Sequence, residues 1–247
     1  MSKRRSFFNR KKIHDDDDLE LSRLLNDDAP FAVREAYLKL CTNIMYLPSE
    51  KHCKTIVVTS AIPGEGKTLL SVNIALGLSK YVGNNKVLLI DSDLRRSRIN
   101  RILGDKESVP HGLSEYLAGI DEELAVSKSS DCETLDIVFA GSQSPNPAGL
   151  LSSSKLKEVI EKFEQDYDYI IIDTPPIDLV TDALLYSSFV GGYIISARAD
   201  YSKINLVNET VNNIHDLNGN VYGVVLNSLN PKNSRRGGYY AYDTYEK

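Results

Sequence analysis

The chain has 247 residues, of which 42% are hydrophobic and 26% charged, with a formal net charge of −5. This balance suits one α/β domain with a substantial core and argues against a nucleic-acid partner. No apolar run reaches the roughly 18–20 residues of a bilayer span, and the basic N-terminus lacks the apolar stretch of a leader, so a cytoplasmic protein is expected. Cys41, Cys53 and Cys132 form no CxxC pair, which leaves neither a zinc site nor a disulfide framework.

Residues 1–28 read as a charged, unfolded lead. Lys3, Arg4, Arg5, Arg10, Lys11 and Lys12 form a basic block with Phe7 and Phe8 inside it, and Asp15 to Asp18 form an acidic one. Such blocks repel internally and stay solvated, although basic residues around two phenylalanines would also suit an anionic membrane surface. A folded domain is expected over 29–230. It opens with a helix over 29–47, with Pro30 in its first turn. Apolar runs rich in Val and Ile follow at 55–59, 87–90, 135–139, 169–172, 193–195 and 221–226. Helical patterns at 67–81, 152–165, 182–187 and 202–216 alternate with them. Runs apolar on both faces are parallel strands covered on both sides, so the alternation predicts a doubly wound, mostly parallel sheet. Residues 231–247 are a linker and tail.

The segment Ala61-Ile62-Pro63-Gly64-Glu65-Gly66-Lys67-Thr68-Leu69 lies between a strand and a helix. That is the context of a phosphate-binding loop. Gly64 and Gly66 let backbone N–H groups converge on phosphate oxygens, and the helix beginning at Lys67 aims its positive end at them. Lys67 is placed to meet the β and γ phosphates of ATP and Thr68 to meet Mg2+. Pro63, Glu65 and Leu69 complete the nucleotide cradle. Ala61 stands where a strict motif has glycine.

Two predicted strands end in carboxylates: Asp91 and Asp93 after 87–90, and Asp173 after 169–172. Open α/β sheets bind ligands at these strand ends. Three carboxylates around one phosphate loop repel unless a cation joins them, which points to magnesium. Asn227, at the end of the last predicted strand, is a candidate adenine contact.

Tyr239, Tyr240, Tyr242 and Tyr245 crowd the last nine residues, with Asp243 and Glu246 among them. They follow neither strand nor helix spacing. A packed terminal strand is one reading, and a set of phosphoacceptors is the other. Each phosphorylation would add about −1.5 to −2 charges, so the tail has leverage as an electrostatic switch. The linker of eight residues spans roughly 26–29 Å when extended, which makes a neighbouring subunit's site a plausible target.

Together these motifs resemble the bacterial tyrosine kinases of capsular and exopolysaccharide synthesis. The resemblance is carried by A-x-P-G-E-G-K-T at 61–68, D-S-D-L-R at 91–95 and I-I-D-T-P-P at 171–176. Two further stretches are Gly112 to Leu117 and Pro145 to Leu151. It implies a MinD/ParA-like P-loop fold and ATP-dependent autophosphorylation of the tail. It implies catalytic roles for Lys67, Asp91, Asp93 and Asp173, with Thr68, Asp91 and Asp173 around the metal and Asp93 nearest the attacking phenol. It also implies a separate membrane activator of the polysaccharide co-polymerase type, which would hold the kinase at the inner face of the membrane, and a cognate tyrosine phosphatase. Self-association with phosphorylation of the tail in trans belongs to the same picture. The family's ring-forming E-x-x-R-x-x-R is altered here: Glu35 is present, but Leu38 and Cys41 replace the arginines. A positioning ATPase of the MinD/ParA type is the nearest rival, although Ile62 stands where those proteins carry a signature lysine. A catalytically silent regulator of polysaccharide assembly is a third reading.

Overall fold

The computed structural model describes residues 24–49, 51–83, 85–103, 111–130 and 132–228. Helix α1 (Phe31–Met45) precedes strand β1 (Lys54–Ser60). Helix α2 (Lys67–Leu76) continues into a π turn, Gly77–Tyr81, and leads to β2 (Val87–Asp91). Three short elements follow: α3 (Ile99–Ile102), α4 (Leu113–Ala118) and β3 (Ser127–Lys128). Then come β4 (Leu135–Val138), α5 (Pro147–Leu151), α6 (Ser154–Phe163) and β5 (Tyr169–Asp173). A 3-10 turn (Asp182–Tyr186), β6 (Gly192–Arg198), α7 (Ile204–Asp216) and β7 (Val221–Asn227) complete the described residues.

Among these residues the sheet has seven strands in the order β3-β4-β2-β5-β1-β6-β7. All pairings are parallel except the short antiparallel β3–β4 edge. The strand residues alternate between two cores. Ile56, Val58, Leu89 and Ile171 pack under α2, whereas Val57, Leu88, Ile90, Ile170 and Ile172 pack against Leu156 and Ile160 of α6 and Ile214 of α7. Both faces are apolar because both are covered, as the uninterrupted Val/Ile runs required. At about 1.5–3 kcal/mol for each fully buried aliphatic side chain, these layers supply the main driving force for folding.

The predicted doubly wound sheet is therefore the observed one, with boundary shifts of a few residues. The predicted helix over 67–81 divides at Gly77. A Cβ there would come within 2.5 Å of Cys41 Sγ, so glycine lets α1 close against α2. Cys41 is fully buried, and burial pushes its thiol up to about 12. Position 41 thus faces this chain's own core, where a long cation has no room.

The domain also begins earlier than the sequence pattern placed it. Leu25, assigned above to the unfolded lead, is 2% exposed, and its backbone N–H donates to Asn73 Oδ1 of α2 at 2.8 Å. Asp27 accepts from Lys80 Nζ at 3.1 Å and from Tyr81 Oη at 2.7 Å. Leu19, Leu21, Leu24 and Leu25 all fall in this stretch, but the acidic run around them made it read as solvated. The basic block before residue 24, and the tail tyrosines Tyr239, Tyr240, Tyr242 and Tyr245, lie outside the described residues. No helix among the described residues is long and apolar enough to cross a membrane. Leu25→Ala is expected to lower unfolding free energy by about 2–3 kcal/mol, as deletion of a buried leucine does. Urea denaturation of the two chains measures it.

Candidate functional site

The parallel register sets the site. Asp91 and Asp173 are the last residues of neighbouring strands β2 and β5, paired directly across the ladder. The phosphate loop leaves the end of β1, on the other side of β5. Three strand ends thus deliver a loop and two carboxylates to one edge of the sheet, where open α/β folds place ligands.

The loop holds its shape through two glycines and a buried glutamate. Gly64 and Gly66 have φ of 83° and 84°, the left-handed region that favours glycine. A Cβ on Gly66 would also sit 3.1 Å from Asn227 Nδ2. The Glu65 side chain turns inward. It accepts from the backbone N–H of Ile62 at 3.0 Å and from the Ser202 hydroxyl. The Glu65 carbonyl accepts from Ser196 Oγ at 2.7 Å and Asn227 Nδ2 at 3.1 Å. Pro63 O accepts from Tyr201 Oη at 3.0 Å. Glu65 and Asn227, read from sequence as nucleotide contacts, also brace the loop, tying it to the ends of β6 and β7. Asn227 has its amide nitrogen committed to this role. Thr68 is buried in the first turn of α2, and Leu69 is half-buried beside it.

Lys67 lies among the carboxylates. Its Nζ is 3.0 Å from Asp93 Oδ2 and 3.8 Å from Asp173 Oδ2. Burial pulls the Lys67 ammonium down, but Asp173 and then Asp93 outweigh it, and its pKa is raised. Asp91 is pushed up to about 7, first by burial and then by Asp173. It accepts from Ser97 Oγ at 2.7 Å and from the backbone of Asp93 at 3.2 Å. Asp173 is also raised by burial, against the opposing pull of Lys67. Its Oδ1 accepts from Ser71 Oγ at 3.0 Å. Its Oδ2 is buried without a hydrogen-bond partner among the described residues.

That orphaned oxygen, beside Asp91 and one side of a phosphate loop, fits a hard divalent cation. Among the described residues no cluster of three carboxylates, histidines or cysteines could hold a metal by itself. A magnesium ion would therefore take much of its shell from the Thr68 hydroxyl, phosphate oxygens and water, as magnesium commonly does. The structure thus brings Lys67, Thr68, Asp91, Asp93 and Asp173 together. Sequence reasoning missed Ser71 and Ser97, which hold the two strand-end carboxylates. Ser71 lies one helical turn after Lys67, a spacing that could have suggested it.

The raised Asp91 carboxyl has a signed consequence. Its ordinary value is 3.8, so between about pH 4 and 7 the unfolded chain has released a proton that the folded chain still holds. Its contribution to stability is lost as pH rises through that window. The melting temperature of the nucleotide-free chain, relative to Asp91→Asn, is expected to fall between about pH 4 and 7. Mg2+ added together with ADP should offset the fall above about pH 7, where the carboxylate is ionised. Thermal melts of both chains with and without the metal check this.

Comparison with known proteins agrees with this geometry. The AAA domain family matches residues 53–222. The tyrosine-protein kinase CpsD of Streptococcus pneumoniae serotype 4 is 37% identical over 195 residues, covering 79% of this chain and 84% of that protein. The solved kinase domain of the Escherichia coli tyrosine kinase ETK superposes with a TM-score of 0.74 at 28% identity, covering 91% of this chain and 85% of the other. The Pyrococcus horikoshii septum site-determining protein MinD, solved with Mg-ADP, superposes at 0.60 with 24% identity over 70% of each chain, which shows the shared fold alone. The glycine loop, the paired strand-end aspartates and this likeness along most of the sequence have one reading: the chain belongs to the AAA-domain tyrosine-protein kinases, and it is a protein-tyrosine kinase.

Proposed function

We propose that this kinase transfers the γ-phosphoryl group of ATP to its own C-terminal tyrosines. The Lys67–Asp93 pair at 3.0 Å is the observation that carries the reading, because it sets a carboxylate at the mouth of the phosphate loop. Phosphoryl transfer is mostly positioning and charge stabilisation. Lys67 exchanges Asp93 for the β and γ phosphates when nucleotide enters. Asp93 is then free to orient a tyrosine hydroxyl and accept its proton late in the reaction. The phenol oxygen bonds to the γ phosphorus, the bond to the bridging oxygen breaks, and ADP leaves with that electron pair. Magnesium, when bound, supplies charge neutralisation between the phosphates. Thr68, Asp91 and Asp173 would hold it, directly or through water. Asn227, with Nδ2 committed to the loop, meets adenine through Oδ1.

In this reading the tail residues Tyr239, Tyr240, Tyr242 and Tyr245 are the acceptors, and a neighbouring chain presents them in trans. The wider assignment is regulation of capsular or exopolysaccharide synthesis and export. A membrane protein of the polysaccharide co-polymerase type activates the kinase at the inner face of the membrane, and a cognate tyrosine phosphatase reverses the modification. Names of relatives such as CpsD, and a solved chimaera named CapA2B2 at 28% identity, support this reading. Because Cys41 is turned into the core, any assembly lacks the family's arginine contacts at that position and is weaker or differently arranged.

Asp93→Asn is expected to lower the rate of tyrosine phosphorylation by about 10²-fold or more, the range for loss of a proton acceptor. Affinity for Mg-ADP should stay near that of the unaltered chain, and unchanged turnover would overturn the role. Transfer in trans has its own check. A Lys67→Met chain with an intact tail is mixed with an active chain whose four tail tyrosines are phenylalanine. Labelled phosphate should appear on the Lys67→Met tail, whereas free phosphate alone would favour a positioning ATPase.

A further inference from the structure

The turn after β2 carries Asp91, Ser92, Asp93, Leu94 and Arg95. Its inner side is held by contacts already described. Its outer side is held by the 3-10 turn Asp182–Tyr186, which sequence reasoning read only as a short helix. Arg95 Nε donates to Asp182 Oδ2 at 2.8 Å, and Nη2 donates to Oδ1 at 3.0 Å. One turn further along, Tyr186 Oη and Ser92 Oγ share a hydrogen bond of 2.5 Å. The 3-10 turn is itself fixed, because Tyr193 Oη of β6 donates to the Ala183 carbonyl at 2.9 Å. Gln143 Nε2 adds a contact to the Arg95 carbonyl at 3.3 Å. The residues before and after the Asp93-Leu94 pair are thus both anchored to one element.

Stability alone explains this arrangement poorly. The Asp182 side chain is 1% exposed, while Arg95 is 39% exposed. Burying a carboxylate is costly, and a partly exposed partner returns only part of that cost. The forked guanidinium–carboxylate contact gives orientation as well as energy. Both polar side chains of the 3-10 turn engage the same turn, the one whose Asp93 pairs with Lys67.

We propose that Asp182 and Tyr186 are positioning residues for phosphoryl transfer, fixing through Arg95 and Ser92 the turn that sets Asp93 against the tyrosine hydroxyl. This rests on the reading of Asp93 given above. Displacements near 1 Å at a reacting group can cost roughly 10²-fold in rate, so a looser turn lowers turnover without lowering nucleotide affinity.

Four full-length chains test it: the unaltered protein, Asp93→Asn, Asp182→Asn and the double variant. Tail phosphorylation at saturating ATP, the KM for ATP, Mg-ADP affinity and melting temperature are measured for each. Asp182→Asn should lower kcat about tenfold while KM and Mg-ADP affinity stay within about twofold. On the Asp93→Asn background the same change should cost less than about twofold, since residues acting through one another are not additive. Asp182→Asn with full kcat, or an undiminished effect on the Asp93→Asn background, overturns the proposal. An active Asp93→Asn chain removes the reading beneath it and the proposal together. An inactive Asp93→Asn chain beside a fully active Asp182→Asn chain removes the proposal alone. If Asp182→Asn does not fold, Tyr186→Phe keeps the buried ring and removes the contact to Ser92. It should lower kcat about threefold with the same non-additivity, and full kcat in that chain is the overturning result.

Discussion

A single half-buried ammonium organises this site. Lys67 stands between Asp93 and Asp173, with Asp91 paired to Asp173 on the next strand. Three carboxylates so close together could not all stay ionised without a cation among them. In the nucleotide-free protein Lys67 is that cation, and the residual imbalance shows in the raised Asp91 and Asp173 carboxyls. In the proposed mechanism a triphosphate would draw Lys67 the other way, so a second positive charge would be needed when nucleotide enters. Magnesium would supply that charge, and the exchange would free Asp93 only when there is a phosphate to transfer.

The rest of the fold keeps those charges in register. Direct pairing of Asp91 with Asp173 follows from parallel strands whose inner residues fill two hydrocarbon cores. Slipping either strand by one residue would move its carboxylate away and exchange the side chains that fill the two cores. The core thus specifies the site through register. The loop is specified differently. Glu65 and Asn227 tie its backbone to β6 and β7, so loop geometry depends on strands that carry no catalytic group themselves.

Position 41 is where this chain departs from the sequence pattern it otherwise resembles. Cys41 is packed against Gly77, inside the contact between α1 and α2. The segment around Leu25 closes over the same contact, with its backbone held by Asn73 of the phosphate-loop helix. Residues 24–28 are therefore tied to the helix that begins at Lys67.

By itself the sequence determined the sheet, the loop and the roster of charged residues. Both faces of each central strand had to be apolar, and glycines had to precede Lys67, so these features leave periodic or compositional marks. Leu25 did not stand out, because the leucines at 19, 21, 24 and 25 lie beside a run of acidic residues that reads as solvated. Nor did Asp182, whose ordinary setting after a threonine could equally mark a helix start. Ser71, Ser97, Glu65 and Asn227 took their roles from contacts with residues 6 to 162 positions away. Such contacts exist only once the strands are ordered, with β5 lying between β1 and β2. The strand-end carboxylates could be placed near the phosphate loop from sequence, but tertiary structure alone decided that Lys67 pairs with Asp93 and Asp173, because strand order is set by how the two cores close and the chain order does not contain it.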